Sequence, residues 1–255
     1  MHILVTNDDG VHAPGLSALV DAMKPLGDVT ILAPDHNWSG GGHVKTLHRP
    51  LRVHETTLAD GTPALSSDGA PSDCVALALL GRVTEKIDLV VSGINTFGNL
   101  GHDVTYSGTV TAAMEAVIAG VPGFAFSLAA DDMTRERDYR AAAGYAGRIV
   151  RAAIAHGLTK DLLLNVNVPC LPAEQIKGLR VTRQGLRVYR DRLDARVDPR
   201  GQPYYWIGGD YPTGVPDEGT DFAALRDGYV SVTPLQLDLT CYELLRRMGE
   251  WEFGS

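Results

Sequence analysis

The chain has 255 residues, enough to bury about three quarters of its unfolded surface, so it needs neither disulfides nor a structural metal to hold a core. Hydrophobic residues at 44% and charged residues at 21% exclude a disordered or fibrous chain. With 23 Lys plus Arg against 31 Asp plus Glu the formal charge is −8, and no basic block offsets it, so a stable nucleic-acid complex is not expected.

Met1-His2-Ile3-Leu4-Val5 enters a strand without a charged leader, so no signal peptide is expected. Ile3 to Thr6 reads as that buried strand, and Pro14 then opens a helix with Leu16, Leu19, Val20 and Met23 on one face. Val29 to Ala33 is a second strand, stopped by Pro34 and followed by the loop Asp35 to Gly42. Leu51 to His54 alternates like a half-exposed strand, with Asp60-Gly61 as a turn. A helix is expected from Pro71 to Leu80, ended by Gly81, then a strand from Ile87 to Val91.

Ser92 to Gly101 reads as a Gly-rich loop, and a helix follows from about Ser107 to Ala119, closed by Gly120. Phe124-Ala125-Phe126 is a strand. Ala142, Tyr145, Ala146, Ile149, Val150, Ala153 and Ile154 then form one stripe of a long helix, and Leu162 to Val168 another strand. The alternation of strands and helices predicts an α/β fold with a mostly parallel sheet over residues 1–178. Beyond that, Arg180 to Arg190 and Tyr204 to Ile207 read as exposed, antiparallel strands. Tyr229 to Leu235 returns to buried-strand character, and Cys241 to Trp251 is a last helix. Residues 179–255 thus form a β-rich extension dependent on the core. The longest uncharged run, Ala116 to Ala130, contains Pro122 and is too short to span a bilayer, so no membrane partner is expected. Cys74, Cys170 and Cys241 lack CxxC spacing and read as incidental thiols of a cytoplasmic protein.

In an open parallel sheet, ligands bind beyond the carboxyl ends of the strands. Three polar, Gly-flanked segments fall there: Asn7-Asp8-Asp9-Gly10, Ser39-Gly40-Gly41-Gly42 and Ser92-Gly93-Ile94-Asn95. Adjacent carboxylates at the end of a buried strand repel each other and call for a cation of the hard, oxygen-seeking kind: Mg²⁺, Mn²⁺ or Ca²⁺. Taken alone, Asp-Asp-Gly usually marks a turn, a lone serine a flexible loop and a lone asparagine a cap. Convergence on one rim is what makes Asp8, Asp9, Ser39 and Asn95 candidate ligands. Tyr106-Ser107-Gly108-Thr109 opens a helix, where free N–H groups and the dipole suit a phosphate, although a single serine there is also an ordinary N-cap.

A dinucleotide GxGxxG after the first strand, a Walker A loop, a GxSxG elbow, an Asp-x-Asp pair and HExxH are all absent. His12, His36, His43 and His102 fall in rim loops, where solvated histidines outnumber catalytic ones.

Asn7 to Gly15, Ala33-Pro34-Asp35 with Ser39-Gly40, Asp68 to Val75, Val91 to Asn95, Gly98 to Gly101 and Tyr106 to Val110 together resemble the survival protein SurE family. Leu164 to Pro169, Gly219-Thr220-Asp221 and Gly228 to Leu235 extend the likeness into the last third, with departures at His36, Trp38 and Thr96-Phe97. The resemblance implies a metal-dependent phosphomonoesterase acting on nucleoside 5′- and 3′-monophosphates, and sometimes on short polyphosphate. It implies a Rossmann-like three-layer core, with the extension serving a homodimer or tetramer through an exchanged C-terminal segment. It places a divalent metal on Asp8, Asp9, Ser39 and Asn95, the four that convergence selects. Catalysis is then expected on Asp8, Asp9 and Asn95, and phosphate binding on Asn7, Gly40, Asn95, Ser107, Gly108 and Thr109. His12, His43 and water stay open as proton donors to the leaving oxygen. A nucleotide-binding module without turnover is the alternative, separated from the enzyme by phosphate release with and without chelator.

Overall fold

A computed structural model of the chain describes residues 1–130 and 137–251. Eleven strands, β1 (His2–Thr6), β2 (Asp28–Pro34), β3 (Val53–Thr57), β4 (Pro63–Ser67), β5 (Leu89–Asn95), β6 (Gly123–Ala129), β7 (Leu163–Pro169), β8 (Leu179–Val181), β9 (Leu186–Val197), β10 (Pro203–Val215) and β11 (Val230–Leu235), are joined by six helices among the described residues. These are α1 (Pro14–Met23), α2 (Pro71–Leu77), α3 (Gly108–Ile118), α4 (Arg140–His156), α5 (Asp221–Arg226) and α6 (Tyr242–Met248).

Nine of the strands make one sheet in the order β3-β4-β2-β1-β5-β6-β7-β11-β8, and β9 with β10 makes a separate antiparallel ribbon. From β4 across to β7 every pairing is parallel, while β3 and β11 run against their neighbours β4 and β7. The architecture is therefore an α/β fold with a mostly parallel sheet plus a β-rich C-terminal extension.

Strand period 2 sorts β1 onto two cores. Ile3 and Val5 join Leu16, Leu19, Val20, Phe124, Phe126, Ile149 and Val150 beneath α1 and α4. Leu4 faces the other way, onto Cys74 and Val75 of α2 and Ala112 and Ala116 of α3. The result is three layers, with apolar runs in the central strands because both of their faces are covered.

Several expectations need correction. β5 runs on to Asn95, so Ser92, Gly93 and Ile94 are strand and fully buried rather than loop. Gly93 belongs there because a side chain would bring its Cβ to 2.2 Å from Phe126 O of the next strand. The expected Pro71 to Leu80 helix ends at Leu77 and passes into a wider turn over Ala78–Arg82. The stretch expected as one strand from Arg180 to Arg190 is two, β8 and β9, broken at 182–185, and the last helix is shorter than Cys241 to Trp251. Strand β4, helix α5 and a 3-10 turn over Gly101–Thr105 add to the elements that the sequence pattern predicts. No helix among the described residues is long and apolar enough to cross a membrane.

The extension is stitched to the core by Asp221 at the start of α5. This fully buried carboxylate accepts from Gly101 N at 2.8 Å, Gly185 N at 2.8 Å and its neighbour Phe222 N at 2.9 Å. Burial raises its pKa, and the three amides oppose that rise. Asp221→Ala strands those donors, so unfolding free energy should fall by about 3 kcal/mol. Thermal denaturation should show a Tm lowered by roughly 6–12 °C.

Candidate active site

The site is built where β1, β2 and β5 end and α3 begins. β1 delivers Asp8, 3% exposed, onto the first turn of α3. Thr109 Oγ1 donates to Asp8 Oδ1 at 2.5 Å, and the backbone amides of Thr109 and Gly108 also hydrogen-bond this carboxylate. Burial still holds Asp8 above the ordinary carboxylate range against those bonds. The fit leaves no room for a side chain on residue 108: a Cβ there would lie 2.7 Å from Asp8 Cβ. Asp9 is half-buried and pushed up to about 6, chiefly by burial and then by the charge of Asp8.

The loop after β2 is tied to both neighbours. Trp38 N donates to Asp8 O at 2.8 Å, Gly42 N to Tyr106 O at 3.0 Å, and Thr111 Oγ1 to Gly42 O at 3.0 Å. Ser39 N donates to Asn37 Oδ1 at 2.7 Å. Farther along, Glu115, buried in α3, pairs with His43 Nε2 at 3.0 Å and Lys45 Nζ at 2.9 Å, while Thr46 Oγ1 donates to Asp73 Oδ2 at 2.7 Å. From β5, Asn95 Nδ2 donates to Phe97 O at 2.7 Å, which leaves Oδ1 as the ligand-facing end of its amide.

These segments enclose a cavity of about 540 Å³ lined by Asp8, Asp9, Ser39, Gly40, Asn95 and Ser107 together with Asn99, Asp103, Tyr106 and Arg187. All four candidate metal ligands thus share one cavity. Of the expected phosphate contacts, Gly40, Asn95 and Ser107 line it. Asn7, Gly108 and Thr109 do not. Asn7 instead closes a local turn, its Nδ2 donating to Gly10 O at 2.9 Å and its Oδ1 accepting from Gly10 N at 3.2 Å. Thr109 is fully buried and spends its hydroxyl on Asp8, and Ser107 Oγ caps α3 by accepting from Val110 N at 3.1 Å.

None of the four rim histidines is among the described cavity residues. His43 is held by Glu115, His36 lies against Asp35 and Trp38, and His12 borders an adjoining cleft of about 410 Å³ that shares Asp9 and Thr96 with the site.

Sequence reasoning missed Asn99, Asp103, Tyr106 and Arg187 as cavity residues. Asn99 sits on a buried amide network: its N donates to Asn167 Oδ1 at 2.8 Å, its Nδ2 donates to Ser127 Oγ at 2.8 Å, and its O accepts from Asn165 Nδ2 at 2.7 Å. The Asn-Val-Asn alternation of β7, which puts two amides on one face of a buried strand, is the signal that points to it. Arg187 arrives from the ribbon, far along the chain, and carries no local signal.

An oxygen-only donor set suits a hard divalent cation. Among the described lining residues three carboxylates, Asp8, Asp9 and Asp103, face one guanidinium, Arg187, leaving an excess of two negative charges that one such cation would balance.

The survival protein SurE family model matches residues 3–191. The chain is 54% identical over 249 residues to the 5′-nucleotidase SurE of Herpetosiphon aurantiacus, covering 98% of this chain and 97% of the relative. It is 51% identical over 253 residues to that of Chloroflexus aggregans, covering 99% and 100%. The crystal structure of the Aquifex aeolicus SurE protein superposes with a TM-score of 0.81 at 42% identity, covering 97% of this chain and 98% of that one. With a family model over residues 3–191 and relatives alike in sequence and structure over nearly the whole length, the chain belongs to the survival protein SurE family.

Proposed function

We propose that this chain is a metal-dependent phosphomonoesterase that hydrolyses nucleoside 5′- and 3′-monophosphates to nucleoside and phosphate, and also accepts short polyphosphate. The observation that carries the reading is the pair Asp8 and Asp9, two adjacent carboxylates held at the mouth of a buried strand in an oxygen-lined cavity. Burying like charges together costs free energy unless a cation joins them. The relatives named 5′-nucleotidase SurE support the substrate class.

In this reading Asp8, Asp9, Ser39 and Asn95 hold one Mg²⁺ or Mn²⁺, which supplies Lewis acidity for activating water and offsetting phosphoryl charge. The chain's own part is positioning. Thr109 and the first amides of α3 fix the Asp8 carboxylate, and the Phe97 carbonyl fixes the Asn95 amide. Gly40 and Ser107 present the cavity's backbone to the phosphoryl oxygens, while Asn99 closes it from the side of β7. Gly108 and Thr109, at the start of α3, are proposed to bind the phosphate as well as to fix Asp8.

The same reading takes residues 1–178 as the catalytic core and residues 179–255 as the part that builds a homodimer or tetramer. Support comes from exposed apolar residues on the ribbon, Leu193, Trp206 and Ile207, and from Leu239 and Leu245 at the C-terminal helix. The unpaired cysteines Cys74, Cys170 and Cys241 suit the cytoplasm.

Phosphate release from a nucleoside monophosphate should stop in EDTA and return when Mn²⁺ or Mg²⁺ is added. Release that persists in chelator refutes the metal, and no release with any nucleotide or polyphosphate leaves a binding module. Asp8→Asn should lower kcat by about 10³-fold or more, while circular dichroism stays that of the wild type. The raised pKa of Asp9 also has a stability sign. Because the folded state holds this proton up to about pH 6 and the unfolded chain only to 3.8, ionisation of Asp9 opposes folding increasingly as pH rises between those values. In chelator, the Tm of Asp9→Asn relative to wild type should therefore climb from pH 4 to pH 6 and then level off.

A further inference from the structure

Arg187 enters the cavity from the base of the β9–β10 ribbon, and its surroundings hold it there from several directions. Its Nε lies 2.9 Å from Asp103 Oδ2, and the side chain is 9% exposed. Tyr189, two residues on and so on the same face of β9, donates its hydroxyl to Asp103 Oδ1 at 2.6 Å, and its ring meets Tyr106 edge to face at 6.4 Å. Gln184 Nε2 donates to Gly101 O at 2.9 Å, and Asp221 binds the amides of Gly101 and Gly185 together. The guanidinium carbon stands 5.6 Å from the centre of the Phe222 ring. Thus the turn over Gly101–Thr105 and the start of β9 form one fastened unit with Arg187 at its tip.

Among the described residues that line the carboxylate cavity, Arg187 is the only cation. It also borders, with Gly98, a second cavity of about 340 Å³. Arg187 therefore stands between two cavities. Desolvating a guanidinium is costly, and a pair that served packing alone could be replaced by apolar groups at little loss. A planar, permanently charged fork in a cavity otherwise lined by carboxylates, amides and hydroxyls has the chemistry to receive phosphoryl oxygens.

We propose that Arg187 is a substrate-binding residue that takes the phosphoryl group of the monoester, and that Asp103, backed by Tyr189, is the positioning residue that sets the plane of its guanidinium. The proposal rests on the phosphomonoesterase reading and adds to it the one cation among the described cavity residues. It makes the ribbon, which lies outside the nine-stranded sheet, a working part of the site.

The test measures kcat and KM for a nucleoside 5′-monophosphate, and the dissociation constant of inorganic phosphate by calorimetry, on the full-length protein with Mn²⁺ present. Arg187→Gln should raise both KM and the phosphate constant by about tenfold or more while kcat changes by less than about threefold. Arg187→Lys should recover part of the phosphate affinity, because charge remains and the fork does not. Asp103→Asn should raise both constants by a smaller factor. Unchanged KM and phosphate affinity in Arg187→Gln overturn the proposal. Should that variant fail to fold, Arg187→Lys decides: phosphate affinity equal to wild type overturns the proposal, and a several-fold loss at wild-type Tm supports it. A wild-type protein that binds phosphate but releases none from nucleotides would instead refute the phosphomonoesterase reading, and the phosphate constants of the variants would still report on Arg187.

Discussion

Asp8 seated on the first turn of α3 is the interaction on which the site depends. A carboxylate with little access to water needs hydrogen bonds to its charged form, and a helix N-terminus offers unpaired amides and a favourable dipole. Here the two needs meet: the end of β1 supplies the acceptor, and Gly108 and Thr109 supply donors. The contact is close enough that residue 108 must be glycine, and it brings the Asp9 carboxylate to the cavity beside the loop after β2. The helix terminus expected to hold a phosphate thus also holds the carboxylate of Asp8.

What sequence made legible follows from how local each signal is. Strand β1 and helix α1 were readable because an apolar run and a 3.6-residue stripe are properties of neighbouring residues. Asp8, Asp9, Ser39 and Asn95 were readable as a group because a parallel sheet presents all its strand ends on one rim, so topology alone brings distant loops together. The end of β5 was misjudged because Gly93 looks like a breaker, whereas the neighbouring strand approaches too closely for any side chain there. Strand β4 begins at Pro63 and ends in two serines, and α5 has only six residues, so neither offers a periodic pattern long enough to detect.

Arg187 was beyond reach for a different reason. Nothing around it in sequence distinguishes it from the other arginines of the exposed strand β9. Its place is set by contacts with Asp103 and by the Asp221 bridge between Gly101 and Gly185, which are properties of the assembled fold. Asn99 is intermediate: its loop shares in the family resemblance without marking it as a cavity residue, but paired amides on a buried strand must find partners, and Asn165 and Asn167 find Asn99.

The Asp221 bridge also makes the cavity depend on distant parts of the chain. This carboxylate closes the Gly101 turn against the start of β9, and β11, farther on in sequence, lies between β7 and β8, so the cavity wall rests on residues far from Asp8. The residues that line the cavity with Asp8 and Asp9 are spread over positions 37 to 187, and the clasp on them, Asp221, lies farther on in sequence. A chain cut before Asp221 would therefore carry the two aspartates without the clasp between the Gly101 turn and the start of β9.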